Sequence, residues 1–226
     1  MADVDASTIR AIQEGVLAYW NAKGRKSLPW RQTRDPWRIL VAEVLLRKTT
    51  STQVIPVYEV LSRLRPVEFL EMDTLELERV LRPLGLHRVR AVQLQKIAEK
   101  VVELGESALK DEKVLEQLPG VGRYIRNAIM CFAFDAPVPT LDTNMIRVVT
   151  RVLNYVSNRS RPREDRRLWS LAEILVPHDY PREFNWAVLD LGADLCTPRK
   201  PKCTECSLAA SCAYATTVGA MAEPPS

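Results

Sequence analysis

The sequence predicts an all-α fold. Apolar residues recur at helical spacing from one end to the other, alternating strand patterns bounded by turn residues are scarce, and residues that start helices precede several of the periodic stretches. In "STIRAIQEGVLAYW", Ile9, Ile12, Val16 and Trp20 share one face behind Ser7, whose hydroxyl is suited to accept a bond from an unpaired backbone N–H. "DPWRILVAEVLLRK" follows, with Asp35 as N-cap and Pro36 at the first helical position, where a missing N–H costs nothing. Asp73 and Glu76 make a capping-box-like pair opening "TLELERVLRPL", and "HRVRAVQLQKIAEKVVEL" keeps the helical period as far as Gly105. "DEKVLEQ" and "RYIRNAIMCFAF" are short helices on either side of "LPGVG". "DTNMIRVVTRVLNYV", "REDRRLWSLAEILV" and "REFNWAVLDLGADL" supply three more helical segments, and "TTVGAMAEPPS", small and proline-ended, reads as a frayed tail.

A chain of 226 residues, 46% hydrophobic and 27% charged, has the material for a sizeable core and is not a mainly disordered polymer. The formal charge of +4 is only mildly basic, so the placement of charge rather than its sum bears on a nucleic-acid partner. No stretch reaches the roughly 18 apolar residues of a membrane span, and "MADVDASTIR" shows no cleavable signal pattern; the expectation is a cytosolic protein with no membrane partner. Cys196, Cys203, Cys206 and Cys212 crowd together, while Cys131 stands alone in "AIMCFAF" and reads as a small core residue.

Two local patterns carry chemistry. In "LPGVGRYIRNA", Gly120 and Gly122 allow a sharp turn and close approach of a partner, and the helix that follows presents unpaired N–H groups with a partial positive charge, a surface suited to phosphate. The same residues also serve as an ordinary turn between helices with glycine caps, and the stretch alone leaves both readings open. The cysteines, spaced Cys196-x6-Cys203-x2-Cys206-x5-Cys212, are too compact for a zinc site of two short Cys pairs, and a reducing compartment disfavours disulfides; the pattern reads as ligation.

Taken together, "LPGVGRYIRNAIMCFAF", "LDTNMIRVVTRV", "LPWRQTRDPWRILVAEVLLRKTT", "FNWAVLDLGADLCTPRKPKC" and the four-cysteine tail resemble the helix-hairpin-helix DNA glycosylases of the endonuclease III superfamily, over nearly the whole chain. The resemblance implies a two-lobed fold: a six-helix barrel carrying the hairpin over residues 29–139, an iron–sulfur lobe formed by 1–28 with 140–215, and a flexible tail at 216–226. DNA would lie across the cleft between the lobes. It implies one [4Fe–4S] cluster on Cys196, Cys203, Cys206 and Cys212, with Arg199, Lys200 and Lys202 carried on the cluster loop toward DNA phosphates, and Gly120, Val121, Gly122 and Arg123 of the hairpin on the backbone.

The resemblance also assigns catalytic roles. Asp142 matches the family's catalytic aspartate, which offsets positive charge on the sugar as the glycosidic bond breaks; by local sequence alone it is equally an N-cap for "TNMIRVV". Tyr124 occupies the position of the lysine that forms a Schiff base in bifunctional members. A phenol forms no imine, so base loss would use water and leave an abasic site. Glu43 interrupts "ILVAEVLL": the resemblance places it against the extruded base as an acid, whereas the local alternative is a solvent stripe of Leu40, Glu43 and Arg47 with an i,i+4 ion pair. Arg47 or Lys48 would fill the gap left by the flipped nucleotide, unless that basic pair is simply a solvated helix end, and Asn144 would orient Asp142 or the sugar.

"RKTT" after the glutamate, "DTN" in place of "DGN", and the short stretch beyond Cys212 resemble the thymine/uracil mismatch enzymes more than the adenine type, which carries a "QQTQV"-like run and a further domain. The expected function is a monofunctional glycosylase removing thymine or uracil from G·T and G·U mismatches, the alternatives being an adenine glycosylase opposite oxidised guanine and a lesion-binding module without catalysis. Expected partners are duplex DNA with a mismatched or damaged base and a downstream abasic-site endonuclease. The protein would act as a monomer, cytoplasmic and associated with the nucleoid when on DNA.

Overall fold

The structure is a computed structural model that describes the backbone of residues 4–222 and the side chains as far as Thr217. Among the described residues all regular structure is helical. In chain order the helices are α1 (Ala6–Lys23), α2 (Pro36–Leu45), α3 (Ser51–Leu61), α4 (Pro66–Glu71), α5 (Thr74–Leu81), α6 (His87–Leu104), α7 (Glu112–Gln117), α8 (Arg123–Phe134), α9 (Thr143–Val152), α10 (Arg166–Leu175), α11 (Pro181–Asp194) and α12 (Ala213–Ala222). They fall into two compact units, Lys26–Phe134 and the combination of Met1–Arg25 with Asp135–Ser226.

In the Lys26–Phe134 unit, α2 is the central helix. Its residues are apolar nearly all round, and Trp37 and every residue from Ile39 to Leu45 are buried, as such a composition requires. Asp35 caps it, accepting from the N–H groups of Trp37 at 2.9 Å and Arg38 at 3.2 Å, and Pro36 follows at the first position as expected. Trp37 meets Phe69 of α4 edge to face, with ring centroids 5.2 Å apart. Helix α3 is not evident from the sequence, because Pro56 lies inside it. It forms nonetheless behind a capping box of Thr50 and Gln53, burying Val54, Val57, Tyr58 and Leu61.

In the second unit, α1 starts earlier than a cap at Ser7 would place it. Asp5 is its N-cap, accepting from the Thr8 N–H at 2.9 Å; an ionised carboxylate is the stronger acceptor, and the Ser7 hydroxyl donates to it. Tyr19 and Trp20 of α1 tie it to α11: the Tyr19 hydroxyl donates to Asp194 Oδ2 at 2.8 Å, and Trp20 stacks on Trp186 with centroids 5.9 Å apart. Helix α12 extends through residues expected to fray, from Ala213 to Ala222; the last four residues of that expected tail lie outside the described residues.

Candidate functional site

The hairpin joins α7 to α8 through Leu118–Gly122. Val121 N–H donates to Leu118 O at 3.0 Å, with Pro119 at the second place of the turn and Gly120 at φ +73° in the third, the geometry of a type II turn. A Cβ on Gly120 would stand 2.5 Å from the Gln93 amide nitrogen, to which the Gln93 side chain would have to give way, so it is the backbone conformation that demands glycine. Gly122 is different: a Cβ there would meet nothing within 4 Å. It is exposed and stands immediately before α8, at the pole of the helix where an anion is favoured. Arg123 is exposed, Val121 is buried, and Tyr124 is half-buried in the first turn of α8.

Gly120→Ala is therefore expected to cost about 1–2 kcal/mol from the left-handed backbone alone, before the clash with Gln93 is relieved. It should weaken DNA affinity more than it lowers the melting temperature. Gly122→Ala, with free space around it, should leave melting unchanged and reduce affinity only; comparing both readouts for the two variants checks the distinction.

Side chains from neighbouring segments brace the turn. Arg47 donates to Gly120 O at 2.8 Å and to Gln93 Oε1 at 3.2 Å, while Gln93 donates to Pro119 O at 3.2 Å. The alternative of a solvent stripe through Leu40, Glu43 and Arg47 is thus not formed: Leu40 is fully buried, Glu43 is 5% exposed, and Arg47 is bonded to the hairpin instead. Lys48, next along, is exposed with φ +54°, a conformation that side-chain-bearing residues rarely adopt.

Arg90, which sequence reasoning misses, shapes this corner from beneath. Its guanidinium, 4% exposed, donates to Val44 O, Leu45 O, Arg47 O and Thr49 Oγ1, and its Nε to Gly85 O, so the last carbonyls of α2 are satisfied by one buried cation. Its only sequence signal is a basic residue on the apolar face of α6.

In the other unit, Asp142 does what its local sequence implied: it is the N-cap of α9, with Oδ1 accepting from Met145 N–H at 2.7 Å. Burial pushes its carboxyl above the ordinary aspartate value, against the lowering pull of the Met145 and Asn144 N–H groups, the Arg147 charge and the Asn144 side chain. A relay of polar groups runs from it. Asn144 Oδ1 accepts from Arg147 Nη2 at 2.9 Å; Arg147 also donates to Gly192 O and, through Nε, to Cys196 O, both at 2.5 Å. Gly192 permits this, since a Cβ there would be 2.7 Å from Asn144 Cβ. Upstream, the fully buried Asn185 of α11 accepts from Thr140 N–H at 2.7 Å and its hydroxyl at 2.9 Å, and donates to Val138 O at 3.1 Å and Pro181 O at 2.8 Å. Asn185 fixes the approach to Asp142; an amide within "FNWAVLDLG" was the available clue.

Cys196, Cys203, Cys206 and Cys212 line one pocket with apolar residues of α9, α11 and the loop. Partial burial pushes the Cys206 and Cys212 thiols up, so thiolate ligation at these positions would release protons. Four sulfurs with no imidazole are the donor set of an iron–sulfur cluster. Arg151 Nη1 lies 3.3 Å from Cys196 Sγ and donates to Thr197 O at 2.8 Å, while its guanidinium covers the Tyr214 ring at 4.7 Å. Arg199, Lys200 and Lys202 are exposed on the same loop, which is fixed by Lys202 N–H to Leu195 O at 2.9 Å and Thr197 Oγ1 to Lys200 O at 2.7 Å. Cys131 is fully buried in α8, as its setting predicted.

A glycine hairpin, a half-buried acid at the head of α9 and a four-cysteine pocket in one helical chain point to a DNA-repair class. Residues 41–173 match the HhH-GPD superfamily of base excision DNA repair proteins, and 196–212 match the iron–sulfur binding domain of endonuclease III. The chain belongs to this superfamily: it is a DNA glycosylase with a [4Fe–4S] cluster, and the matched iron–sulfur segment runs from Cys196 to Cys212. It is 41% identical to the thymine-DNA glycosylase of Aeropyrum pernix over 219 residues, spanning 95% of this chain and 98% of that one. It is also 41% identical to the thymine/uracil-DNA glycosylase of Pyrobaculum aerophilum, over 87% of this chain and 88% of the relative. A solved thermostable thymine-DNA glycosylase superposes with a TM-score of 0.87 at 34% identity, covering 94% of this chain and all of the other. Among the described residues no helix is long and apolar enough to cross a membrane.

Proposed function

We propose that this glycosylase removes thymine or uracil opposite guanine, hydrolysing the N-glycosidic bond and leaving the strand unbroken at an abasic site. The observation that carries the reading is the setting of Asp142, a half-buried, partly desolvated carboxyl held by Met145 and Asn144. Capping and catalysis are compatible there, because two carboxylate oxygens offer about four acceptor positions. As the bond to the base lengthens, the sugar becomes cationic, and a fixed negative charge of low hydration offsets that charge without reorganising solvent. Water completes the substitution at the anomeric carbon. Similarity to relatives named for thymine and uracil supports the choice of base.

Glu43, buried in α2, acts on the extruded base as hydrogen-bond donor or acid. Gly120, Gly122 and Arg123 engage the phosphate backbone through the hairpin, and Arg199, Lys200 and Lys202 do so from the cluster loop. Of the two basic residues at the end of α2, Lys48 enters the gap left by the base, since Arg47 is already bonded to Gly120 O and Gln93. Tyr124 has no amine, so no Schiff base forms on it. The [4Fe–4S] cluster has a structural role, fixing the loop on which the basic residues stand. The enzyme works as a cytoplasmic monomer on nucleoid DNA and passes its abasic product to a separate endonuclease.

Duplexes containing G·T, G·U or oxidised guanine opposite adenine test this, scored with and without alkali. The expected result is alkali-dependent breaks at G·T and G·U and no adduct trapped by borohydride. Breaks before alkali with a trapped adduct would reverse the assignment of Tyr124, and release of adenine alone would reverse the choice of base.

A further inference from the structure

The residues between α9 and α10 carry a charge that none of the roles above uses. Asn158–Arg167 contains five arginines, Arg159, Arg161, Arg163, Arg166 and Arg167, and no lysine. Against Glu164 and Asp165 they leave an excess of three positive charges, out of four for the whole chain. All five arginines are exposed. Among the described residues only Arg161 of the five makes an ion pair, with exposed Glu164 at 3.3 Å.

Asp165 does not neutralise the group from its surface. It is 7% exposed, and its oxygens are taken by the Tyr155 hydroxyl at 2.7 Å, the Ser157 hydroxyl at 2.6 Å and the N–H groups of Arg167 at 2.9 Å and Leu168 at 3.4 Å. The Ser157 bond foremost holds its carboxyl below the ordinary value, so the acid stays ionised and works as the N-cap of α10. These bonds also give the segment one shape, together with Tyr155 N–H to Thr150 O at 2.9 Å and Trp169 Nε1 to Arg163 O at 2.8 Å. The arginines are presented on a built loop, so the backbone needs no ordering to bind.

Their placement disfavours the free protein. Arg166 and Arg167 stand in the first turn of α10, beside the positive pole of the helix, where cations are destabilising. A ligand that relieves both this and the mutual repulsion must be a polyanion. The absence of lysine points to a forked, two-bond partner, which a phosphodiester oxygen pair is and a hydrated point charge is not. We infer that Arg159–Arg167 is a second, sequence-independent binding surface for the DNA phosphate backbone, separate from the hairpin and the cluster loop. It binds a stretch of duplex whether or not a damaged base is present.

Full-length protein carrying Arg159→Gln, Arg161→Gln and Arg163→Gln, and a second variant carrying Arg166→Gln and Arg167→Gln, would be titrated against undamaged duplex over a range of salt. Each phosphate left without its arginine should make the slope of log K against log salt shallower by about 0.9, so the triple variant should lose between about one and three units and bind at least about tenfold more weakly at low salt. Lysine at the same three positions should restore the slope while recovering only part of the affinity, which a misfolded loop would not do. The Arg166/Arg167 variant should melt at or above the wild-type temperature. An unchanged slope in both glutamine variants overturns the inference, as does a loss of affinity that lysine leaves unrestored. A protein that binds DNA as described here yet releases no base would instead remove the catalytic reading of Asp142 and leave this surface standing.

Discussion

Asp142→Asn should lower base release by at least about a thousandfold under single-turnover conditions while leaving DNA affinity and melting temperature nearly unchanged. The pairing of outcomes is what separates catalysis from structure here. Asparagine is about as good an N-cap as aspartate, so the bond from Met145 N–H to the side chain survives and α9 keeps its start. Only the charge is lost. Asp142→Ala removes both, and should add a stability loss of about 1 kcal/mol, which is roughly 2–4 °C in melting temperature for a chain of this size. If alanine and asparagine variants were equally unstable and equally slow, the carboxylate would be a cap and nothing more.

The same group sets a pH dependence. Burial raises the Asp142 carboxyl above the ordinary 3.8, and the reaction needs it ionised, so the acid limb of base release should lie above that value. Stability runs the other way. Because the folded state takes up the proton first as pH falls, wild type should gain stability relative to Asp142→Asn between the raised value and 3.8.

The class of fold and the presence of a cluster were legible because both rest on spacing. Apolar periodicity placed α6 at both ends and the starts of α2 and α9 within a residue, though it carried α2 and α9 three to four residues too far; Asp35 and Asp73 were recognisable caps, since an acid ahead of a periodic run has one dominant local use. The four cysteines announced themselves by crowding. What the sequence hid was of two kinds. Helix α3 was obscured by Pro56, a residue whose local cost is overridden by burial of Tyr58 and its neighbours. Arg90, Asn185 and Arg147 were hidden because their partners are backbone carbonyls far away in the chain, and a carbonyl has no sequence signature. The ambiguity of Asp142 was real for the same reason. Local sequence correctly proposed the cap, and only its depth of burial and the Asn144–Arg147 relay distinguish it from the caps at Asp35 and Asp73.

Cys206→Ser is expected to abolish the visible absorption of the cluster and to lower the melting temperature by about 10 °C or more, equivalent to several kcal/mol for this size of chain. The size of the effect follows from how little else fixes residues 196–212. The loop has one fully buried apolar anchor, Leu208, a hydroxyl bond from Ser207 to Gly15 O at 2.7 Å, and the Arg147 and Arg151 contacts near Cys196. Its remaining structure is short turns, whose ordering entropy must be offset by metal–thiolate bonds. Because Arg147 also reaches Asn144, loosening Cys196 should slacken the Asp142 relay as well, so base release should fall further than DNA affinity alone accounts for. Single-turnover rates at saturating enzyme separate the two. A Cys206→Ser protein that keeps its wild-type rate once DNA is saturated would mean that the cluster supports only binding, and that Asp142 is positioned by α9 and Asn185 without help from the cysteine loop.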